Sequence, residues 1–152
     1  MGKHREYKGK LDAIIQLVNV DVSNPTFNVK CNNVNLKLEK VCKNKYILTG
    51  QWEFSANIIN NEKFEPKIIK GIFIMSGVGY YNKCTGLITA NIQAGGELDL
   101  VPNFFLMIAE FPCDNNLKEI NASITFDGAN PQTLGGFMGV GKIKAYKQHN
   151  HC

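Results

Sequence analysis

Gly71 to Ile92 reads GIFIMSGVGYYNKCTGLITANI, and its pattern decides the fold class. It predicts two short β-strands joined through a bend at Ser76-Gly77-Val78-Gly79, because glycine lets a sheet turn sharply where a side chain would clash. A dinucleotide loop needs a strand, then G-x-G-x-x-G, then a helix. Here the third glycine is missing and a strand follows. The glycines therefore belong to sheet architecture, not to a phosphate site.

The neighbouring segments carry the same period. Tyr46 to Ile58 is the clearest strand: Tyr46, Leu48, Trp52, Phe54, Ala56 and Ile58 fall on one parity, and Thr49, Gln51, Glu53, Ser55 and Asn57 on the other. A strand with one wet face gives that separation and a helix does not. Leu11 to Val22 alternates and then changes phase at Val18, which predicts a bulge or bend. Phe27, Val29 and Cys31 form a short strand ended by a turn at Asn32-Asn33; Val34, Leu36 and Leu38 form another. Asn103 to Phe111 (NFFLMIAEF) is apolar at both parities and reads as a strand buried on both faces or a packing segment, with Pro102 ending the strand before it. Ile120 to Phe126 alternates, Asp127 to Pro131 reads as a turn, and Phe137 to Tyr146 is the last strand.

These elements imply an all-β chain of about eight to ten strands, an antiparallel barrel or a jelly-roll-like sandwich. At 152 residues it reads as one domain over 1–152, with a polar N-terminal arm at 1–10 and a C-terminal tail at 147–152. The net charge of +4 comes from dispersed lysines, short of a nucleic-acid footprint. No membrane span and no conventional signal peptide is expected.

Cys31, Cys42, Cys84, Cys113 and Cys152 are widely spaced, without C-x-x-C, so structural zinc is not expected. They read as small buried hydrophobes, with Cys84 in the core and Cys31–Cys42 a conceivable cross-strand pair. Cys152, the last residue, is the candidate for an intermolecular cross-link. His149, His151 and Cys152 could ligate a metal, but their spacing matches no recognised site, and none is assigned. No serine elbow or triad pattern is present, so no catalytic residue and no cofactor is assigned. Trp52, Phe54, Phe104, Phe105, Phe126 and Phe137 should line a core or a cavity.

Gly77, Gly79, Tyr81, Gly86 and Ile88 in GVGYYNKCTGLI follow the pattern G-x-G-x-aromatic-x-x-x-x-G-x-aliphatic. This segment resembles one in allene oxide cyclases and, more loosely, in dirigent proteins. The resemblance implies an eight-stranded barrel holding a hydrophobic ligand, with cyclase or isomerase activity as its possible use; Trp52, Phe54, Tyr81 and Phe126 are the candidate cavity residues. The preferred reading is a non-enzymatic, self-assembling subunit of a spore, cell-surface or extracellular fibre type, joined through its termini and edge strands. A carbohydrate- or surface-binding sandwich is the third reading, and its mark would be an exposed aromatic patch with Trp52 outside.

Overall fold

The computed structural model describes residues 4–18, 26–58, 68–98, 101–130 and 135–148. Eight strands make up the fold: β1 (His4–Val18), β2 (Thr26–Cys42), β3 (Lys45–Ile58), β4 (Ile68–Asn82), β5 (Leu87–Leu98), β6 (Val101–Pro112), β7 (Glu119–Asn130) and β8 (Gly135–Lys147). Each pairs antiparallel with the next, and β1 pairs with β8 from Tyr7↔Lys147 to Val18↔Gly136, which closes the barrel. The sandwich alternative is thereby removed. So is the edge-strand route of assembly, because closure leaves no free edge among the described strands.

Strand boundaries differ from the sequence reading wherever turn chemistry sits inside a strand. β4 runs unbroken through Ser76-Gly77-Val78-Gly79, and the chain reverses instead at Lys83–Gly86. Gly77 serves close approach between strands: a Cβ there would stand 2.3 Å from the Asn91 carbonyl oxygen. Gly86, at φ 72, supplies the left-handed residue that the turn requires. Asn32-Asn33 is a bulge within one long β2, where Gly9 and Leu11 pair with Val34 and Cys31. Val101-Pro102 opens β6 and Asp127–Asn130 completes β7, so neither is a break. The phase change expected after Val18 lies outside the described residues.

Inward positions are apolar and almost continuous around the wall. Tyr7, Leu11, Leu38, Leu48, Trp52, Phe73, Met75, Ile88, Met107, Phe111, Ile120 and Ile124 are the largest fully buried side chains. Outward positions of β1 to β3 carry Lys8, Lys10, Lys30, Asn35, Lys37, Gln51 and Glu53 at mid-strand. No described helix is long and apolar enough to cross a membrane.

Up-and-down connectivity gives the barrel two unlike ends. The β2–β3, β4–β5 and β6–β7 connections share one end with the start of β1 and the finish of β8. There a 3-10 turn at Asn115–Leu117 folds under the barrel and buries Leu117. The Tyr7 hydroxyl donates to the Leu117 carbonyl at 2.7 Å and holds the plug in place. Asn116 and Leu117 both take positive φ, 57 and 51, a conformation costly for leucine and retained here by its burial and this bond.

Candidate functional site

Three of the four expected cavity residues meet inside the barrel. Trp52, Phe54 and Phe126 are buried, and the Trp52 indole donates to the Asn35 carbonyl at 2.8 Å. Ring contacts run Trp52–Phe54 at 6.0 Å, Phe54–Phe105 at 5.9 Å, Phe73–Phe105 at 5.1 Å and Phe105–Phe126 at 5.5 Å. Phe54 on β3 and Phe105 on β6 are not neighbouring strands, so these rings touch across the lumen and fill it at that level. An eight-stranded barrel has just this width, enough for side chains to meet at the axis. Tyr81 stands apart from the three. It is half-buried at the plugged end, and its backbone N–H donates to Asn44 at 2.9 Å. Trp52 is fully enclosed, so it is not on the outside where the third reading places it.

The plugged end holds the inward-pointing phenols of Tyr7 and Tyr46. Burial pushes the Tyr7 phenol above its ordinary 10.0, partly offset by a hydrogen bond from Arg5. Burial likewise raises Tyr46, with Cys113 beside it adding to the rise. Towards the opposite mouth Ile15, Phe27 and Ile69 are half-buried against the core, and Asn103, near the start of β6, is a buried polar side chain.

The outer wall carries a feature that alternation did not reveal. β6 is buried on one face only, so Phe104, Leu106 and Ile108 project outward instead of packing inside. Their row is continuous with β4 through the pairs Ile74↔Gly95 and Gly95↔Phe104. The Phe104 ring lies over Gly95, 3.4 Å from where a Cβ would be. Phe104 is 61% exposed, Leu106 56%, Ile108 44%, Ile72 52% and Ile74 68%. At about 200 Å² for a whole large side chain, the five residues present on the order of 500 Å² of contiguous apolar surface, the size of patch that marks an interaction site.

Charge is segregated around the same wall. β5, β6 and β7 carry Glu97, Glu110, Glu119 and Asp127 and neither Lys nor Arg. Glu97 pairs with Ile72 and Asp127 with Leu106, so acidic groups rim the apolar face. Adjoining this face is a groove of about 760 Å³, lined by Lys8, Lys10, Asn33, Gln51, Glu53, Lys144 and Tyr146 and bounded by Ile72, which belongs to both surfaces. The Asn32-Asn33 bulge shapes it by turning β2 away from β1. Three lysines against one glutamate make the groove basic.

The thiols are also placed unevenly. Cys31 is buried in the wall, where burial raises its pKa above the usual 9.0. Cys42 is exposed at the end of β2, Cys84 is exposed in the β4–β5 connection and Cys113 is half-buried just after β6, all at the plugged end. All four are free. The proposed Cys31–Cys42 pair fails because both sit on β2, and Cys84 is an exposed turn residue and not core. Cys152, His149 and His151 lie outside the described residues. No group of three or more His, Cys, Asp or Glu among the described residues is placed to hold a metal ion.

Sequence reasoning missed Phe104, Leu106, Ile108, Ile72 and Ile74 as a surface, because Ile72–Met75 and Phe104–Ala109 are apolar at both parities and carry no alternation to mark the outward side. No family model, no curated protein and no solved structure matches the chain.

Proposed function

We propose that the protein is a non-enzymatic structural subunit that assembles with further copies of itself through the outer wall of its barrel. The observation that carries this reading is the exposed apolar face of Ile72, Ile74, Phe104, Leu106 and Ile108 on a barrel without edges. A standard interface buries about 800 Å² per partner. The apolar face supplies on the order of 500 Å² of that, and its polar rim the remainder. Two such faces set against each other would oppose Glu97, Glu110 and Asp127 to their own counterparts. Setting the face into the lysine-bearing groove of a second copy opposes unlike charges instead. That contact is heterologous; face and groove meet at Ile72, and Ile74, Phe104, Leu106 and Ile108 of the receiving copy remain to engage a further one, so the assembly grows as a chain.

Sedimentation velocity of the purified protein in reducing buffer tests this. The expected result is an average mass that keeps rising with concentration. A monomer at several hundred micromolar, on the scale where weak interfaces act, or a closed dimer that stops growing, refutes it.

A ligand-binding barrel, with or without isomerase activity, is the second reading. It is favoured by the half-buried Ile15, Phe27 and Ile69 at that end of the barrel, apolar side chains of the kind that line small-molecule sites. Its mark would be saturable quenching of Trp52 emission by a long-chain apolar ligand, and unchanged emission counts it out.

A further inference from the structure

We propose that the basic groove over the β2 bulge is a binding site for an acidic saccharide, with carboxylates held by Lys8, Lys10 and Lys144 and hydroxyls met by the amide side chains beside them. The site needs only the groove and not the head-to-tail assembly; where copies do associate, saccharide and neighbouring face compete for the same lysines. The three lysines form one block on the outer wall. Lys10 stands directly opposite Lys144 across β1 and β8, and Lys8, the next outward residue of β1, lies between Tyr146 and Asn35. Like charges set directly opposite each other destabilise a sheet. Elsewhere β1 avoids that arrangement: Glu6 pairs with Lys37 at 4.0 Å, and Asp12 stands between Lys30 and Lys142. Lys8, Lys10 and Lys144 make no ion pair among the described residues. An anion bound between them supplies the countercharge that the chain does not.

The groove is built into the wall. The β2–β3 register stops at Lys30↔Ser55 and resumes at Leu36↔Gly50, so residues 31–35 and 51–54 lie opposite without direct pairing. The Trp52 indole reaches this opening from the core side and donates to the Asn35 carbonyl at 2.8 Å, which closes the floor. Outside that floor the strands leave about 760 Å³, the size of space that holds a small organic ligand.

The chemistry of the lining selects the ligand class. Asn32, Asn33, Asn35 and Gln51 each offer amide donors and an acceptor, the complement of hydroxyl groups that both donate and accept. Tyr146, 49% exposed beside Lys8, gives an aromatic ring for the apolar face of a sugar. No arginine lines the groove, so the forked donor geometry that suits a phosphate is missing. Strands β5 to β7 carry acidic residues and no basic ones, which interrupts the track that a nucleic-acid strand would follow. Closure of the barrel denies an acidic peptide the free edge that main-chain pairing needs.

The test is calorimetric titration of the full-length chain with a galacturonic acid tetramer at low ionic strength, beside the neutral galactose tetramer. Saturable binding of the acidic tetramer with Kd below about 1 mM is expected, together with a change in Trp52 emission through its bond to Asn35. Both should be lost near 1 M salt, where the screening length falls to about 3 Å. Lys10→Gln and Lys144→Gln should each weaken binding about threefold to fivefold, and the two together about tenfold or more. Lys83→Gln makes the same charge change in the β4–β5 turn and should leave binding unchanged. All of these variants should melt at or above the wild-type temperature, since each removes an exposed lysine. Equal binding of the neutral tetramer, tighter binding of inorganic phosphate or of a glutamate tetrapeptide, equal weakening by Lys83→Gln, or no saturation would overturn the proposal. Repeating the titration on Phe104→Ala, whose weakened face leaves neighbouring grooves open, and sedimenting the same samples separates the two ideas. Chains that bind the acidic tetramer but stay monomeric remove the assembly alone, and chains that associate without binding it remove the saccharide site alone.

Discussion

Reversing the charge placed at Phe104 separates head-to-tail assembly from every other way of using the apolar face. With 61% of the side chain exposed, replacing Phe104 withdraws roughly 120 Å² of apolar contact, taking about 200 Å² for a whole phenylalanine. At about 25 cal/mol per Å² that is ~3 kcal/mol, or a roughly hundredfold weaker association. The sign of the new charge then matters. A lysine there would face Lys8, Lys10 and Lys144 of the receiving groove, and a glutamate would face the same lysines favourably. Rim charge pairs contribute up to about 1 kcal/mol each, so Phe104→Lys should associate about tenfold more weakly than Phe104→Glu. Sedimentation velocity in reducing buffer at low ionic strength reads both constants. Near 1 M salt, where the screening length falls to about 3 Å, the two variants should converge. Thermal melts should stay close to wild type, because Phe104 is outside the core and surface changes usually cost within about 0.5 kcal/mol. If Phe104→Glu is the weaker associator, the copies meet face to face and the head-to-tail arrangement is wrong. If neither variant weakens association, the face is not the interface.

Further expectations concern the barrel itself. Phe105→Ala removes the ring that touches Phe54, Phe73 and Phe126, and urea unfolding should show a loss of about 3–5 kcal/mol. Tyr7→Phe deletes the bond to Leu117 and should cost about 1 kcal/mol in the same assay, more if the Leu117 carbonyl is left unsatisfied. Gly77→Ala forces a Cβ against the Asn91 carbonyl and should lower stability by about 1–3 kcal/mol. The phenols of Tyr7 and Tyr46 and the Cys31 thiol all have raised pKa values in the fold, so each holds its proton more tightly folded than unfolded. Their contribution is complete below the unfolded values of 9.0 for the thiol and 10.0 for the phenols and declines as pH rises past them. Urea midpoints measured upward from pH 8 should therefore fall beyond pH 9, and a midpoint constant to pH 11 would contradict the burial of these groups.

The fold class was legible because alternation in segments such as Lys45–Ile58 and Glu119–Asn130 records which side of a sheet is wet. The boundaries were not. Asn32-Asn33 and Ser76–Gly79 have turn chemistry, yet a bulge and a crowded strand call for the same residues, and only pairing partners tell these uses apart. β6 shows the deeper limit. Asn103 to Phe111 is apolar at both parities, which describes equally a strand buried twice and a strand with one face in the core and one facing a partner. The plugged end was obscured for a topological reason. Cys42, Cys84 and Cys113 are far apart in the chain, and they share one end only because the strands run strictly up and down. A barrel fold serves many unrelated chemistries, so the fold brings no cyclase activity with it.

The pairing of β1 with β8 also sets a schedule for how the molecule comes into being. A ribosome delivers β1 first and its closing partner last, so seven strands must wait, curled and unsealed, until residues 135–147 have left the exit tunnel. Throughout that interval both β1 and β7 offer bare hydrogen-bonding edges, the hazard that the finished molecule has abolished. Loss of even the final strand would therefore not trim the protein but leave it permanently in its most adhesive, half-made form. The order of synthesis thus makes the outer wall a fixed surface only when the last strand arrives.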